Sequence, residues 1–150
     1  MPQQVLYFDE LWVGQEFMTG ARIISMEDVE AFARLSGDLN PVHLDEEYAK
    51  SSAFGRRVAH GALTVAAVSG LLSPLLAEST LAAYGIDRLR FRRPVYPGES
   101  LRVVMRVAAL EPIDDHSGML KLHCRALKDN NEAALVGLFS VILKRKRTLP

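Results

Sequence analysis

The sequence predicts an α+β protein, an antiparallel sheet wrapped against one buried helix, and three observations lead there. Helical signals fall in the first half of the chain and strand signals in the second. A charge-free run from Gly61 to Ala77, GALTVAAVSGLLSPLLA, is apolar on nearly every side of a helix, as a helix enclosed by protein should be. After it come long segments of alternating or continuous apolar residues, separated by residues that favour turns.

Taken in order, LWVGQEF and then ARIIS read as short extended segments. Ser25 precedes Met26-Glu27-Asp28, a Ser-x-x-Asp pattern in which the two side chains cap each other's backbone amides at a helix start. Met26, Val29, Phe32 and Ala33 recur at helical spacing and form the buried face, and Gly37 stands where a helix ends with positive φ. Asp38 to Leu44 reads as a loop turned by Asn40-Pro41, Asp45 to Ser51 as a short helix, and Ser52 to Ala59 as an irregular connection. Pro74 is expected to kink or end the apolar helix, because it lacks an amide hydrogen and crowds the preceding turn. Strands are expected at Ile86 to Arg92, Leu101 to Leu110, Met119 to Leu127 and Ala133 to Lys144. Tyr96-Pro97-Gly98, Asp114 to Gly118 and Asp129-Asn130-Asn131 supply the turns.

The 150 residues suit one domain spanning 1–150, and no repeat, low-complexity tract or linker divides them. Eighteen basic residues balance eighteen acidic ones, so the excess a nucleic-acid binder needs to displace counterions is missing. The apolar run falls short of the roughly 20 residues of a spanning helix and contains Thr64, Ser69, Ser73 and Pro74, which favours a core helix over a membrane segment. The N-terminus carries no basic stretch followed by an apolar run, and with it goes the expectation of a cytoplasmic protein. Cys124 is the sole cysteine, excluding an intrachain disulfide, and its KLHCRAL setting is that of a strand residue.

The chemistry concentrates in Ser36-Gly37-Asp38-Leu39-Asn40-Pro41-Val42-His43-Leu44-Asp45 and in Ala59-His60-Gly61. Asp38 and His43 bracket the Asn-Pro turn, and a carboxylate and an imidazole sharing one water can activate it and deliver a proton. Gly61 opens the apolar helix, where unpaired amides and the helix dipole point toward an approaching carbonyl oxygen. Each residue also has an ordinary structural explanation: Asp38 an Asx turn, His43 and His60 satisfied structural histidines. Asp38, His43, Asp45 and His60 lack metal-ligand spacing, and the turn accounts for their clustering, so no metal is expected.

These segments, with Ala49, Phe54 and Val58, resemble the signature S-G-D-x-N-P-x-H-x-D, then A, F and [IV]-A-H-G, of the MaoC-like dehydratase or hydratase-2 family. Phe91-Arg92-Arg93-Pro94-Val95-Tyr96-Pro97-Gly98-Glu99 is similar to that family's F-x-x-P-V-x-P-G-[DE], and the resemblance runs roughly from Trp12 to Lys144. It implies a hotdog fold, usually paired as a homodimer. It implies that Asp38 and His43 bind and activate the water added to a trans-2-enoyl thioester, giving the (R)-3-hydroxyacyl product. It also implies that the Gly61 amide polarises the thioester carbonyl and that Ser69, farther along the helix, orients the carboxylate. Asn40 is expected to hold the loop and His60 to sit structurally before the helix. No cofactor is implied beyond the coenzyme A or acyl carrier protein of the substrate itself. A 3-hydroxyacyl-carrier-protein dehydratase, a hotdog thioesterase and a non-catalytic acyl-thioester-binding subunit are the competing readings. Chain-length preference is expected to depend on the pocket beside the helix, near Pro74 to Leu81.

Arg88, Arg90, Arg92 and Arg93 fall on and beside one strand, three of them at alternating positions. A solvated strand face is the simpler reading, and contact with coenzyme A phosphates the other. Lys144-Arg145-Lys146-Arg147 reads as a soluble tail.

Overall fold

The computed structural model describes residues 4–146. Four long antiparallel strands, β3 (Thr80–Phe91), β4 (Ser100–Pro112), β5 (Ser117–Leu127) and β6 (Ala133–Lys144), lie in the order β4-β5-β6-β3. Two short strands, β1 (Glu16–Met18) and β2 (Arg22–Ile23), pair with β4. The helices are α1 (Met26–Ser36), α2 (Pro41–Leu44), α3 (Glu46–Lys50) and the central α4 (Gly61–Leu76).

The period-2 pattern of the strands and the all-apolar helix solve one packing problem together. Val103, Met105 and Val107 of β4 and Leu120, Leu122 and Cys124 of β5 face Val68, Leu72 and Leu75 of α4. A second cluster, Ile24, Val29, Leu63, Ala67 and Leu101 among its members, holds α1 against the first half of α4. Bulges at Val107/Ala109 and Asp87/Arg90 increase the local twist of the strands that wrap the helix. Burial pushes the Cys124 thiol up to about 12, so it stays protonated and inert.

The capping box forms as expected. The Asp28 amide donates to Ser25 Oγ at 3.0 Å and the Ser25 amide to Asp28 Oδ2 at 2.9 Å. These bonds, the Ser25 amide foremost, hold the Asp28 carboxyl below its usual range. Gly37 takes φ 78° and its amide closes α1 on the Ala33 carbonyl at 2.9 Å.

Several boundaries differ from the sequence reading. The Asp38–Leu44 loop contains a one-turn helix, α2, because Asn40 caps it and Pro41 supplies a helical φ at its first position. Pro74 does not end α4, which continues to Leu76; the Ala77 amide still bonds the Ser73 carbonyl at 2.8 Å. β3 begins at Thr80 rather than Ile86, since pairing with β6 recruits a stretch whose own alternation is poor. The basic run is no free tail: Lys146 Nζ meets Glu10 Oε1 at 2.7 Å and Arg145 lies over the Phe8 ring. The 3₁₀ turn Phe8–Glu10 brings acidic and aromatic groups beside the end of β6, while Arg147 lies outside the described residues. No helix among the described residues is long and apolar enough to cross a membrane.

That clasp makes a stability prediction. A Cβ built on Gly118 would lie 2.3 Å from the edge of the Phe8 ring, which is itself buried beneath Arg145. Gly118→Ala therefore has to expel the ring, at a cost of about 1–3 kcal/mol by the usual penalty for overpacking. Denaturant unfolding should show that loss; a variant as stable as the parent would mean the N-terminal turn does not hold the sheet edge.

Candidate active site

The site is assembled where three backbone features meet. The αL residue Gly37 turns the chain out of α1 and delivers Asp38. Asp38 Oδ1 accepts from the Asn40 amide at 3.2 Å, and Asn40 Oδ1 accepts from the Val42 amide at 3.2 Å, so the Asx turn and the cap fold the loop back. His43 then falls in the last turn of α2 with its side chain mostly buried, and its Nε2 stands 4.0 Å from Asp38 Oδ2.

The other edge of the His43 ring decides its chemistry. Nδ1 lies 2.7 Å from the Val58 carbonyl oxygen, which accepts only, so Nδ1 carries a proton and donates it. All proton traffic at this ring therefore passes through Nε2, the nitrogen facing Asp38. A separation of 4.0 Å is too long for a direct hydrogen bond, but a water about 2.8 Å from each atom fits between them.

His60 ties the pair together more closely than its expected structural role suggested. It is buried, stacks on the His43 ring with centroids 3.7 Å apart, and touches Phe32 on another side. Its Nε2 donates to the Asp38 backbone carbonyl at 3.0 Å, leaving Nδ1 buried without a partner. One side chain thus braces both members of the pair. Nothing in local spacing announced this, because the contact joins residues 22 positions apart.

Donor atoms of Asp38, His43 and His60 lie within 4.8 Å of one another, the one cluster of metal-ligand type found among the described residues. Two imidazoles that stack face to face direct their lone pairs along nearly parallel planes, whereas an ion must lie in the plane of both rings. The cluster is better built to hold a water than a metal.

Gly61 is the first residue of α4, and no side chain caps that end of the helix. Its amide is one of the helix's opening donors, and it borders the same cavity as His43. A Cβ on Gly61 would lie 2.9 to 3.2 Å from the Phe91 ring, so only glycine lets the ring close over the helix end. The cavity, of about 480 Å³, is bounded mainly by apolar side chains, among them Phe54, Val58, Phe91 and Val95, with Thr64 deeper in. Tyr96 donates from its hydroxyl to the Phe54 carbonyl at 2.9 Å and carries the Arg56 guanidinium 3.9 Å above its ring, which pins the 51–59 loop at the mouth.

The sequence-derived residues divide accordingly. Asp38, Asn40 and His43 come together, with Gly61 on the same cavity. Ser69 does not join them within one chain: it lies eight residues beyond Gly61, about 12 Å along the helix. It borders a second cavity with Val65, Leu72, Tyr84 and Ile86, and makes no hydrogen bond to Asp38 among the described residues.

The family model of the MaoC like domain matches residues 11–122. The chain belongs to the MaoC-like family. It is 40% identical over 109 residues to the 3-hydroxybutyryl-CoA dehydratase of Methylorubrum extorquens, a match covering 73% of this chain and 68% of that protein. It is also similar to Protein MaoC of Klebsiella aerogenes, 38% identical over 97 residues that make up 65% of this chain but only 29% of that longer protein. An R-hydratase from Pseudomonas aeruginosa superposes with a TM-score of 0.77 at 31% identity, covering 95% of this chain and 88% of that one. A double-hotdog-fold protein from Mycobacterium tuberculosis superposes with a TM-score of 0.86 at 20% identity, over 97% of this chain and 46% of that one, and shares the fold. The MaoC-like chain described here thus has the expected hotdog architecture, an antiparallel sheet curled around α4.

Proposed function

We propose that the protein adds water reversibly across the double bond of trans-2-enoyl thioesters of coenzyme A, giving (R)-3-hydroxyacyl thioesters. The observation that carries this reading is the pair Asp38 Oδ2 and His43 Nε2, 4.0 Å apart beside an uncapped helix N-terminus. A binding module has no need of a water-activating pair, and a thioesterase, which could use one, is separated by its release of free thiol. The named hydratase and dehydratase relatives support the same choice.

In this scheme the water's hydroxyl bonds to the β-carbon while Asp38 takes its proton. His43, which starts with a proton on Nε2 as well as on Nδ1, gives the Nε2 proton to the α-carbon, and the proton on Asp38 passes back to Nε2 to restore the start, so one water is consumed and nothing else. Negative charge on the thioester oxygen is met by the Gly61 amide and the α4 dipole, a term that is usually large in a site with little water. Asn40 keeps the loop in shape, and Ser69 stands outside the scheme within a single chain.

The active form is proposed to be a homodimer. β3 is an edge strand of twelve residues exposing Leu81, Tyr84 and Ile86, an edge that unpaired would invite aggregation. Light scattering should return twice the chain mass.

The reaction is tested by following the enoyl-thioester absorbance of crotonyl-CoA and the configuration of the product. Loss of absorbance with an (R)-3-hydroxy product is expected. Release of free thiol would make the protein a thioesterase, and inertness toward short, long, branched and carrier-protein-bound enoyl groups alike would remove the enzyme reading.

A further inference from the structure

The active site holds two imidazoles built almost as a matched pair. His43 and His60 stack with ring centroids 3.7 Å apart and an interplanar angle of 27°. Each is pinned through one nitrogen to a main-chain carbonyl, which can only accept: His43 Nδ1 to Val58 at 2.7 Å and His60 Nε2 to Asp38 at 3.0 Å. Each ring therefore carries one fixed proton, and the chemistry of the stack depends on where a third proton goes. The hydration scheme uses His43 as the acid and gives His60 no part in the proton transfers.

The remaining nitrogens differ in what faces them. His43 Nε2 stands 4.0 Å from Asp38 Oδ2, in a side chain that keeps 12% of its surface open and borders the cavity. A proton added there meets a carboxylate. His60 Nδ1 is enclosed, in a residue 2% exposed, and has no hydrogen-bond partner among the described residues. A proton added there would bury an N–H with nothing to accept it and a charge with nothing to solvate it. Phe32 covers another side of His60, with ring centroids 5.0 Å apart, and brings no ionisable group. His60 is also the residue before α4, whose dipole opposes a positive charge at that end. Nearness to Asp38 does not decide between the rings, because its carboxylate lies within 4.8 Å of a nitrogen of each. The bond that His60 makes to Asp38 goes to the main chain. Rings stacked this closely cannot both be charged without strong repulsion, so the pair carries at most one extra proton.

We propose that His60 is a positioning residue for the acid: fixed as the neutral tautomer with its proton on Nε2, it leaves the exchangeable proton of the stack to His43. It holds that ring by its face and Asp38 by its main chain. The part it plays in turnover rests on the hydration reading above, whereas the placement of the proton does not. A buried polar atom left unsatisfied calls for a reason, and the bare Nδ1 has one here. Without an acceptor beside it, the second ring stays uncharged and does not compete with His43. The two contacts can also be taken apart. His60→Phe keeps a stacked face and loses the donor to Asp38, while His60→Gln can keep a donor and loses the ring.

Nitrogen NMR of the isotopically labelled, unaltered protein reads the tautomers directly, with the ring signals assigned through His43→Gln and His60→Phe. As the pH falls from about 8 to about 5, the span in which histidines take up protons, His43 should be the ring that becomes doubly protonated. His60 should keep the signal of a bare Nδ1 throughout. Double protonation of His60 before His43, or of both rings together, would overturn the assignment. His60→Phe and His60→Gln should each lower kcat for crotonyl-CoA about tenfold with KM little moved, because a misplaced acid slows the chemical step. Melting curves run beside the kinetics check that the fold is kept. A lower melting temperature with an unchanged kcat in both variants would make His60 purely structural and overturn the positioning role. A wild type that titrates as expected but hydrates no enoyl thioester would remove the reaction and leave the proton on His43.

Discussion

Asp38→Asn and His43→Gln are each expected to lower kcat for crotonyl-CoA hydration by about 10²- to 10⁴-fold, the usual contribution of a positioned acid or base. Asp38→Asn is nearly isosteric and retains an oxygen to accept from the Asn40 amide, so the loop keeps its shape while the proton acceptor is lost. His43→Gln removes Nε2 and also the ring stacked on His60, so a modest loss of stability should accompany the loss of rate. KM should move little in either case, because in the proposed binding mode the apolar cavity, not this pair, holds the acyl group. Combining the two changes should cost scarcely more than one alone, since both groups act on one water and removal of either disables the unit. Steady-state kinetics on the four proteins checks all of this. Activity that survived both substitutions would make the cluster structural and the mechanism wrong.

Gly61→Ala is expected to separate activity from stability. The added methyl would lie within 2.9 Å of the far end of the Phe91 side chain. Phe91 is more than half exposed, so the ring can swing away at small cost, and alanine is the better helix former in any case. Stability should therefore change by less than about 1 kcal/mol. The displaced ring and the methyl, however, both enter the space beside the opening amide of α4, where the thioester oxygen has to approach. A fall of about 10²-fold in kcat/KM is expected, comparable to the loss of one oxyanion donor elsewhere. Thermal melting beside kcat/KM measures the contrast; an alanine variant with full activity would remove the Gly61 amide from the mechanism.

The features legible in the sequence are those fixed by interactions of short range along the chain. Ser25 and Asp28 cap each other across three residues, and Gly37 needs only its own φ, so four neighbouring letters define the start of α1 and one glycine its end. The four long strands follow from period-2 alternation and strong turns, although β3 gained six residues at its start through pairing with β6. Asp38, Asn40 and His43 are held by bonds spanning two or three residues, which is why a short ordered motif identified them. The Asn40-Pro41 turn of that loop opens α2 because Pro41 and the Asn40 cap favour a helical turn over an open one.

The sequence by itself determined the α+β class, the buried helix, the Asp38–His43 loop and the family resemblance, all of which depend on neighbours in the chain or on periodicity. Only the tertiary structure decided that His60 braces both Asp38 and His43, that the Val58 carbonyl occupies Nδ1 of His43 and leaves Nε2 facing Asp38, and that Ser69 borders a second cavity. It also turned an expected free tail into a clasp on Phe8 and Glu10, and arginines from two different strands into the lining of one groove. Contacts of this kind join residues 15 to 136 positions apart, and their geometry follows from strand register and the angle of a helix against a curved sheet. Those quantities are set by the packing of the whole core, which no short stretch of residues encodes.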